Sequence, residues 1–246
     1  MQNQKPENQQ KNIVGKVKSE NWKKYSFEFL SIFIAVVTAF ALNNWNDNRR
    51  DANSENKILI EISNGLEKDL EDIKLNMSGH KTGISACNYF RGAFVGNDIE
   101  TDSLMFHYFN LTRDFVSIQN IAGYETLKSK GLELITNDSL RLEIISLYEY
   151  DYNTLRKLEE EYAEMQFQEN YFKEINEVVA PYFNIDSNGN ITGIDLPLKI
   201  QKDKRNELLL YLWKIQSNRI FILHYYSEIE KKINEVREHI TAEIQR

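Results

Sequence analysis

The sequence predicts an all-α protein, in which an N-terminal transmembrane helix continues into an antiparallel bundle of long helices, with a short β-hairpin-like loop near residues 183–194. Three observations lead to this fold class. The chain has no charged residue from Phe29 to Asn46. It contains only 3 prolines and 10 glycines among 246 residues, and both residue types interrupt helices. After the apolar stretch, long series of apolar residues recur with helical spacing.

The apolar stretch has the length that a membrane-spanning helix needs, about 17–25 residues. Trp22 and Tyr25 precede it and Trp45 lies near its end, where amphipathic rings prefer the lipid headgroups. We therefore expect a transmembrane helix over residues 25–46. Two alternatives remain open. The stretch could be a signal peptide that is cleaved at the small-x-small sequence of residues 39–41, or a helix buried in a soluble core.

Basic residues predict the orientation of this helix. The lysines that precede it are Lys5, Lys11, Lys16, Lys18, Lys23 and Lys24. Only Arg49, Arg50 and Lys57 follow closely. Since positive charge is retained in the cytoplasm, we expect a cytoplasmic N-terminus and a helical bundle, residues 47–246, on the opposite side. The polar residues 1–24 are predicted to be disordered.

One face of the predicted span carries small residues. Ser31, Ala35 and Ala39 recur one helical turn apart, with Thr38 beside them. Small residues at this spacing let two helix backbones approach closely, which predicts a homo-oligomer that associates through this face. The alternative is that such residues occur in a single span by chance. Glu28 is a polar group at the edge of the span, where it could line a pore.

The first helix is expected to continue beyond the span, from about Phe29 to Phe94. Its apolar series is Leu59, Ile62, Leu66, Leu70, Ile73, Met77, His80, Ile84 and Cys87. Gly65, Gly79 and Gly83 predict bends.

Two short helices and a turn are expected next. Thr101 is a candidate cap for a helix over Asp102–Leu111. A second short helix, Ile121–Lys130, has Asn120 as its candidate cap and Gly131 as its end. Asn137 then caps the start of the next helix.

A second long helix is predicted from Asp138 to Val179, which contains no proline or glycine. Its apolar residues are Leu140, Ile144, Tyr148, Leu155, Leu158, Tyr162, Met165, Phe172, Ile175 and Val179. Pro181 ends it. The sequence Asn188-Gly189 predicts a tight turn between two short extended segments. A calcium loop over 186–197 is the weaker alternative, because it lacks the turn glycine and the bidentate glutamate.

The last helix has the most regular series: Leu208, Leu212, Ile215, Arg219, Ile222, Tyr226, Ile229, Ile233, Val236 and Ile240. We call this series the inner seam of the last helix. Its one charged member, Arg219, needs a partner if it is buried. A helical hairpin that turns near residue 188 would place Arg219 opposite Glu160 and Glu161, which predicts a structural ion pair. The alternative is that Arg219 extends to solvent at the rim.

These elements predict a path for the chain. The two short helices would lie at the far end of the first helix, and Asp138–Val179 would return toward the span. The hairpin near residue 188 would then lie at the span end of the bundle, and the last helix would run away from it.

The sequence shows no established catalytic or cofactor motif. GxxxxGK[ST], GxGxxG, GxSxG and HExxH are all absent. We expect no enzymatic activity, no cofactor and no metal, and we expect His80 and Cys87 to line the core. Acidic residues outnumber basic ones by 37 to 30, which argues against nucleic acid as a partner.

Two stretches carry a resemblance to known proteins: EFLSIFIAVVTAFALNNWNDNRR, and AGYETLKSKGLELITNDSLRLEIISLYEYDY at residues 122–152. Together they resemble a family of uncharacterised bacterial single-span membrane proteins, a domain of unknown function. The resemblance implies a bacterial inner-membrane protein with a periplasmic bundle, and it brings no known activity. Within its central motif, Tyr124, Glu125, Lys128 and Arg141 form either a partner-binding surface or a folding corner, and the folding corner is favoured.

The leading functional hypothesis is a membrane-anchored scaffold or interaction protein that self-associates and has no catalytic activity. Its partners would be the lipid bilayer, further copies of the chain and an unidentified protein. Two alternatives remain: a small homo-oligomeric pore lined by the span, and a membrane-anchored sensor with an extracytoplasmic helical domain.

Overall fold

The computed structural model describes residues 8–246, with side chains from Trp22 onward. It contains a long first helix, α1 (Asn8–Val95), and two compact units, residues 1–54 and 55–246. The predicted fold class, long helices with one small antiparallel sheet, is confirmed. Much of the predicted disordered segment, residues 1–24, lies outside the part described with side chains, and that expectation stays a prediction.

The first unit contains the apolar part of α1. This helix is long and apolar enough to cross a membrane, and none of its apolar window is buried within the chain. Large apolar side chains such as Phe29, Phe33 and Phe40 are more than half exposed.

The second unit contains the rest of α1 and the other helices and strands. The further α-helices are α2 (Leu104–Leu111), α3 (Ala122–Lys130), α4 (Asp138–Ile145), α5 (Tyr152–Glu160), α6 (Phe167–Val179) and α7 (Lys202–Ile244). A π-helical segment, Ser146–Asp151, joins α4 to α5. Strands β1 (Phe183–Ile185) and β2 (Ile191–Ile194) form a two-stranded antiparallel sheet, in the place where the sequence predicts a hairpin.

The core of this unit includes the apolar series of α1 and α7 together with residues of the shorter helices. All ten residues predicted for the inner seam of α7 are buried, and they are the buried residues of that helix. On α1, the predicted series is buried, apart from Met77 and Ile84, which are half-buried. The two helices run antiparallel, because Arg237 of α7 pairs with Glu67 and Lys74 pairs with Glu230.

The prediction of one continuous helix over Asp138–Val179 is wrong. The chain forms α4, the π-helical segment, α5 and α6 instead, with a 3₁₀ turn, Ala163–Met165, before α6. Tyr162, predicted to face the core, is 43% exposed because α5 has already ended. At the break the Asp114 carboxylate accepts a hydrogen bond from the backbone N–H of Phe167, 2.9 Å away. Asp114 therefore satisfies one of the first N–H groups of α6, which have no acceptor within the helix. In an unbroken helix the same N–H would bind a carbonyl of the preceding turn.

The path of the chain also differs from the prediction. The short helix α3 lies beside α1 near Ile62, and the following Thr136 hydrogen-bonds Glu55. The segment from α4 to α6 therefore runs parallel to α1. Its far end carries the hairpin, where Phe183 packs against Tyr108 of α2. The hairpin thus lies at the Val95 end of the bundle rather than at the Glu55 end.

Helix α1 continues through Gly65, Gly79 and Gly83, where the sequence predicts bends. Each glycine instead leaves room for another element. A Cβ atom at Gly79 would lie 2.2 Å from the ring of Phe115, and one at Gly83 would lie 2.3 Å from Cζ of Arg219. The three glycines therefore serve close packing between elements.

Candidate interaction surface

Arg219 is fully buried between α1 and the end of α2. Its guanidinium donates hydrogen bonds to the carbonyl oxygens of Leu111 and Arg113, at 3.1 and 2.8 Å. Leu111 ends α2, so Arg219 satisfies carbonyls that the helix leaves without a partner. No ion pair joins Arg219 to Glu160 or Glu161 within residues 22–246, and backbone carbonyls take the place of the predicted carboxylates.

Electrostatics fix the protonation states around Arg219. Burial lowers the pKa of Arg219 to about 10, while the negative charge of Asp114 acts in the opposite direction. Burial, and then the charge of Arg219, lower the pKa of His80 to about 3. At neutral pH the arginine is charged and the imidazole is neutral. The Nδ1 atom of His80 then accepts a hydrogen bond from Arg219, at 3.1 Å.

Three carboxylates hold the non-helical segment between α2 and α3. Glu159 accepts from the backbone N–H of Ser117, Asp72 from that of Ile118 at 2.9 Å, and Asp69 from that of Asn120 at 2.7 Å. The three carboxylates share one role. They accept hydrogen bonds from backbone N–H groups that have no partner in a helix or sheet. Asn120, predicted as a helix cap, instead binds Asp69 with its side chain.

Buried tyrosines complete this polar network. The Tyr152 hydroxyl donates to Asp69 at 2.7 Å, and the Tyr226 hydroxyl donates to Glu159. Burial raises the pKa of both carboxyl groups, and their hydrogen bonds oppose the rise. Asp69 and Glu159 therefore have partners within the chain, and their arrangement serves the fold.

The residues of the central motif meet at a corner between α3 and the π-helical segment. Lys128 pairs with Glu125 at 3.0 Å and with Glu149 at 3.4 Å, and it lies over the ring of Tyr124. The Tyr124 ring stacks on Tyr148, with centroids 4.6 Å apart. These contacts join α3 to the π-helical segment, while the side chains of Lys128 and Glu125 stay 41% and 53% exposed.

Arg141 belongs to the same corner. Its guanidinium donates to the carbonyl oxygen of Ile135 at 2.9 Å and pairs with Asp138 at 2.7 Å. It therefore ties the turn before α4 to the first turn of that helix. Asn137 caps α4 as predicted, since its side chain accepts from the N–H of Leu140 at 3.3 Å.

The predicted oligomerisation residues of the span lie on α1 in the first unit. Ser31, Ala35, Thr38 and Ala39 are all exposed, as is Glu28. The Ser31 hydroxyl donates to the carbonyl oxygen of Glu28 at 2.8 Å. In this single chain all five residues are available for contact with lipid or with another helix.

A shallow groove of about 250 Å³ lies between α4 and α7. Four of its five titratable groups form two pairs. Lys232 lies 2.5 Å from Asp151, and Nδ1 of His239 lies 2.6 Å from Glu143. The hydrogen bond with Glu143 raises the pKa of His239. These two pairs join α4 and the π-helical segment to α7. Within residues 22–246, no cluster of three metal-binding side chains occurs.

The outer face of α7 exposes several large apolar side chains to solvent. We define this outer face as Leu210, Trp213, Ser217, Ile220, Phe221 and His224. Its four large apolar side chains are 51%, 60%, 55% and 48% exposed in chain order. They recur with helical spacing, on the side of α7 opposite the inner seam.

The outer face has no free charge. Between Glu207 and Glu228 the charged residues of α7 are Lys214 and Arg219. Lys214 pairs with Glu164 at 3.3 Å, and Arg219 is buried. An apolar stripe without charge on a helix surface is typical of a protein-binding site. Reasoning from the sequence missed it, although a second apolar series beside the inner seam was the available signal.

The fold and this surface define a helical protein with an apolar N-terminal helix and an exposed apolar face on its last helix. The chain matches the family of unknown function DUF6090 over residues 28–189, which is more than half of its length. It therefore belongs to that family. No curated protein and no solved structure matches the chain.

Proposed function

We propose that this protein is a single-span membrane anchor for a helical interaction domain, which binds protein partners and further copies of itself without catalysing a reaction. The observation that carries the proposal is the fully exposed apolar window of α1. In water this window would be an apolar patch far larger than soluble proteins expose. In a bilayer the same side chains would contact hydrocarbon.

The bundle supports an interaction role. Its buried charged groups are all bound by groups of the same chain: Glu55, Asp69, Asp151, Glu159 and Arg219. Its outer face of α7 is apolar and uncharged. The polar groups thus maintain the fold, and the exposed apolar side chains are available to a partner.

The proposed topology follows the basic residues. Residues 1–24 would lie in the cytoplasm, residues 25–46 would span a bacterial inner membrane, and residues 47–246 would lie in the periplasm. The lysines before the span outnumber the basic residues just after it, which supports this orientation.

Alkaline extraction tests the anchor. We expect the full chain to stay with membranes after washing at high pH, because a spanning helix is not released by loss of charge interactions. The double variant Val36→Lys, Val37→Lys should be released, since each lysine in a span is costly. Leu75→Lys with Leu142→Lys adds the same charge at exposed apolar positions of the bundle and should remain bound. Release of the unaltered chain would overturn the proposal.

Thiol labelling tests the orientation. Cys87 is the one native cysteine and is buried, so it should react little with an impermeant maleimide. In intact spheroplasts we expect labelling of Ser85→Cys, an exposed position of the bundle, and no labelling of Ser19→Cys. The reverse pattern would contradict the proposed topology.

A further inference from the structure

We propose that the outer face of α7 binds the same face of a second copy of this chain, with the two helices antiparallel about Ser217. The inference rests on the proposed interaction role and names its partner. It concerns a different surface from the small residues of the span.

The pattern of exposure on α7 supports a paired helix. Leu210, Trp213 and Ile220 are exposed apolar residues in heptad steps, with the small Ser217 between them, and polar residues continue the steps at both ends. A helix with one apolar seam already buried needs no second one for its own fold. A second heptad series on the opposite side is typical of a helix that packs against another helix.

The charges on α7 favour a second copy over an unrelated partner. A two-fold contact brings a surface against itself, so any charge at its centre would meet its own copy. The centre of the outer face avoids this repulsion, because Lys214 and Arg219 are both engaged within the chain. Like charges in contact are a strong barrier to association, and this face carries none.

The charges at the ends of the face select the antiparallel orientation. With Ser217 at the centre, Trp213 lies opposite the partner's Phe221, and Asp203 lies opposite the partner's Lys231. A parallel pair would place Asp203 beside the partner's Asp203, with like charges in contact. Ser217 is small and half-buried, which lets the two backbones approach at the crossing point.

The size of the face predicts a reversible dimer. Pairing its half-exposed apolar side chains would remove on the order of 800 Å² from water over both copies. Stable complexes bury about 1,200–2,000 Å², so this contact lies at the weak end. We therefore expect association that depends on protein concentration.

Disulfide trapping of the full chain in detergent tests the pairing and its orientation. Ser217→Cys should give a covalent dimer on mild oxidation, because this residue faces its own copy at the centre. Ser227→Cys should give none, since an antiparallel pair separates the two copies of this residue by roughly 30 Å at 1.5 Å per residue. The unaltered chain is the background control, as Cys87 is buried. No dimer through Ser217→Cys would overturn the pairing, and a dimer through Ser227→Cys would overturn the orientation.

A second measurement separates loss of the interface from loss of the fold. Adding Trp213→Gln and Ile220→Gln to Ser217→Cys should reduce the trapped dimer at least fivefold and leave the helical circular dichroism unchanged, because both side chains are exposed. Leu75→Gln removes an apolar side chain that is 70% exposed elsewhere on the bundle, and it should leave the dimer intact. An undiminished dimer in the double glutamine background would overturn the proposal.

These assays in detergent are independent of the membrane anchor. If the chain washes off membranes at high pH while the Ser217→Cys dimer forms, the proposed anchor fails and the dimer interface stands. If the chain stays in membranes and the dimer does not form, the interface fails alone.

Discussion

Gly83 shows how a single residue acts through its lack of a side chain. Glycine in the middle of a helix costs about 0.5–1 kcal/mol relative to alanine. At this position the absent Cβ lets the guanidinium of Arg219 lie against α1. Since the guanidinium is bound to the carbonyls of Leu111 and Arg113, it has little freedom to move aside.

We expect Gly83→Ala to destabilise the chain by about 1–3 kcal/mol, the usual cost of overpacking a core. The new Cβ would lie 2.3 Å from Cζ of Arg219. The measurement is urea unfolding of the full chain in mild detergent, followed by circular dichroism.

Gly92→Ala is the matched control for this prediction. Gly92 lies in the same helix, and its new Cβ would meet Ile99 at 3.6 Å, an ordinary contact. This variant should be as stable as the unaltered chain or about 0.5–1 kcal/mol more stable. Equal stabilities for the two alanine variants would show that the Arg219 contact does not constrain α1.

At the scale of elements, partners from distant segments decide where helices begin and end. Asp114 supplies an acceptor for the first N–H of α6, and Arg219 supplies donors for the last carbonyls of α2. The spacing of apolar residues predicts a helix that continues through Tyr162, because no proline or glycine lies nearby to end it. The sequence reveals a helix cap only where the capping residue directly precedes the helix, as Asn137 precedes α4.

Asn137→Ala should destabilise the chain by about 0.5–2 kcal/mol, because the side chain caps α4. It accepts from the N–H of Leu140 and donates to Glu243 of α7 at 2.6 Å. Gln201→Ala is the control, since Gln201 stands at the same position before α7 but makes no side-chain cap hydrogen bond. Urea unfolding should separate the two variants, and equal losses would contradict the assigned cap.

For the whole molecule, the dependence of stability on pH sums over all buried titratable groups. Burial raises the pKa of Asp69, Asp114 and Glu159. The folded state therefore holds their protons more tightly, and their contribution to stability is present below the unfolded pKa values and is lost as pH rises. His80 acts in the opposite direction, because its pKa falls from 6.5 to about 3 on folding. Its contribution is present above pH 6.5 and is lost as pH falls toward 3.

The substitution His80→Gln should flatten the acid limb of the stability curve. A pKa lowered from 6.5 to about 3 corresponds to a loss of up to about 5 kcal/mol over that range. The glutamine oxygen can still accept from Arg219 without binding a proton. His224→Gln is the control, because His224 is exposed. The measurement is the free energy of unfolding against pH, and parallel curves for His80→Gln and the unaltered chain would refute the assignment.

Much of the fold followed from the sequence by itself. The scarcity of proline and glycine and the heptad series determined the first and last helices, and every residue predicted for the inner seam of α7 is buried. The hairpin at residues 183–194 followed from its turn residues in the same way. These features depend on residues close in the chain, and helical spacing or turn chemistry records them directly.

Only the tertiary structure decided which distant groups meet. The predicted register between the helices before residue 188 and α7 was nearly right, since Tyr226 contacts Glu159 and Lys214 contacts Glu164. Arg219, however, turns toward Gly83 and the end of α2, where unpaired carbonyls bind its charge. The direction of a side chain, the break before α6 and the exposed outer face of α7 depend on which neighbours occupy each side of a helix. Periodicity gives the faces of a helix, and packing against the rest of the chain determines which of them is covered.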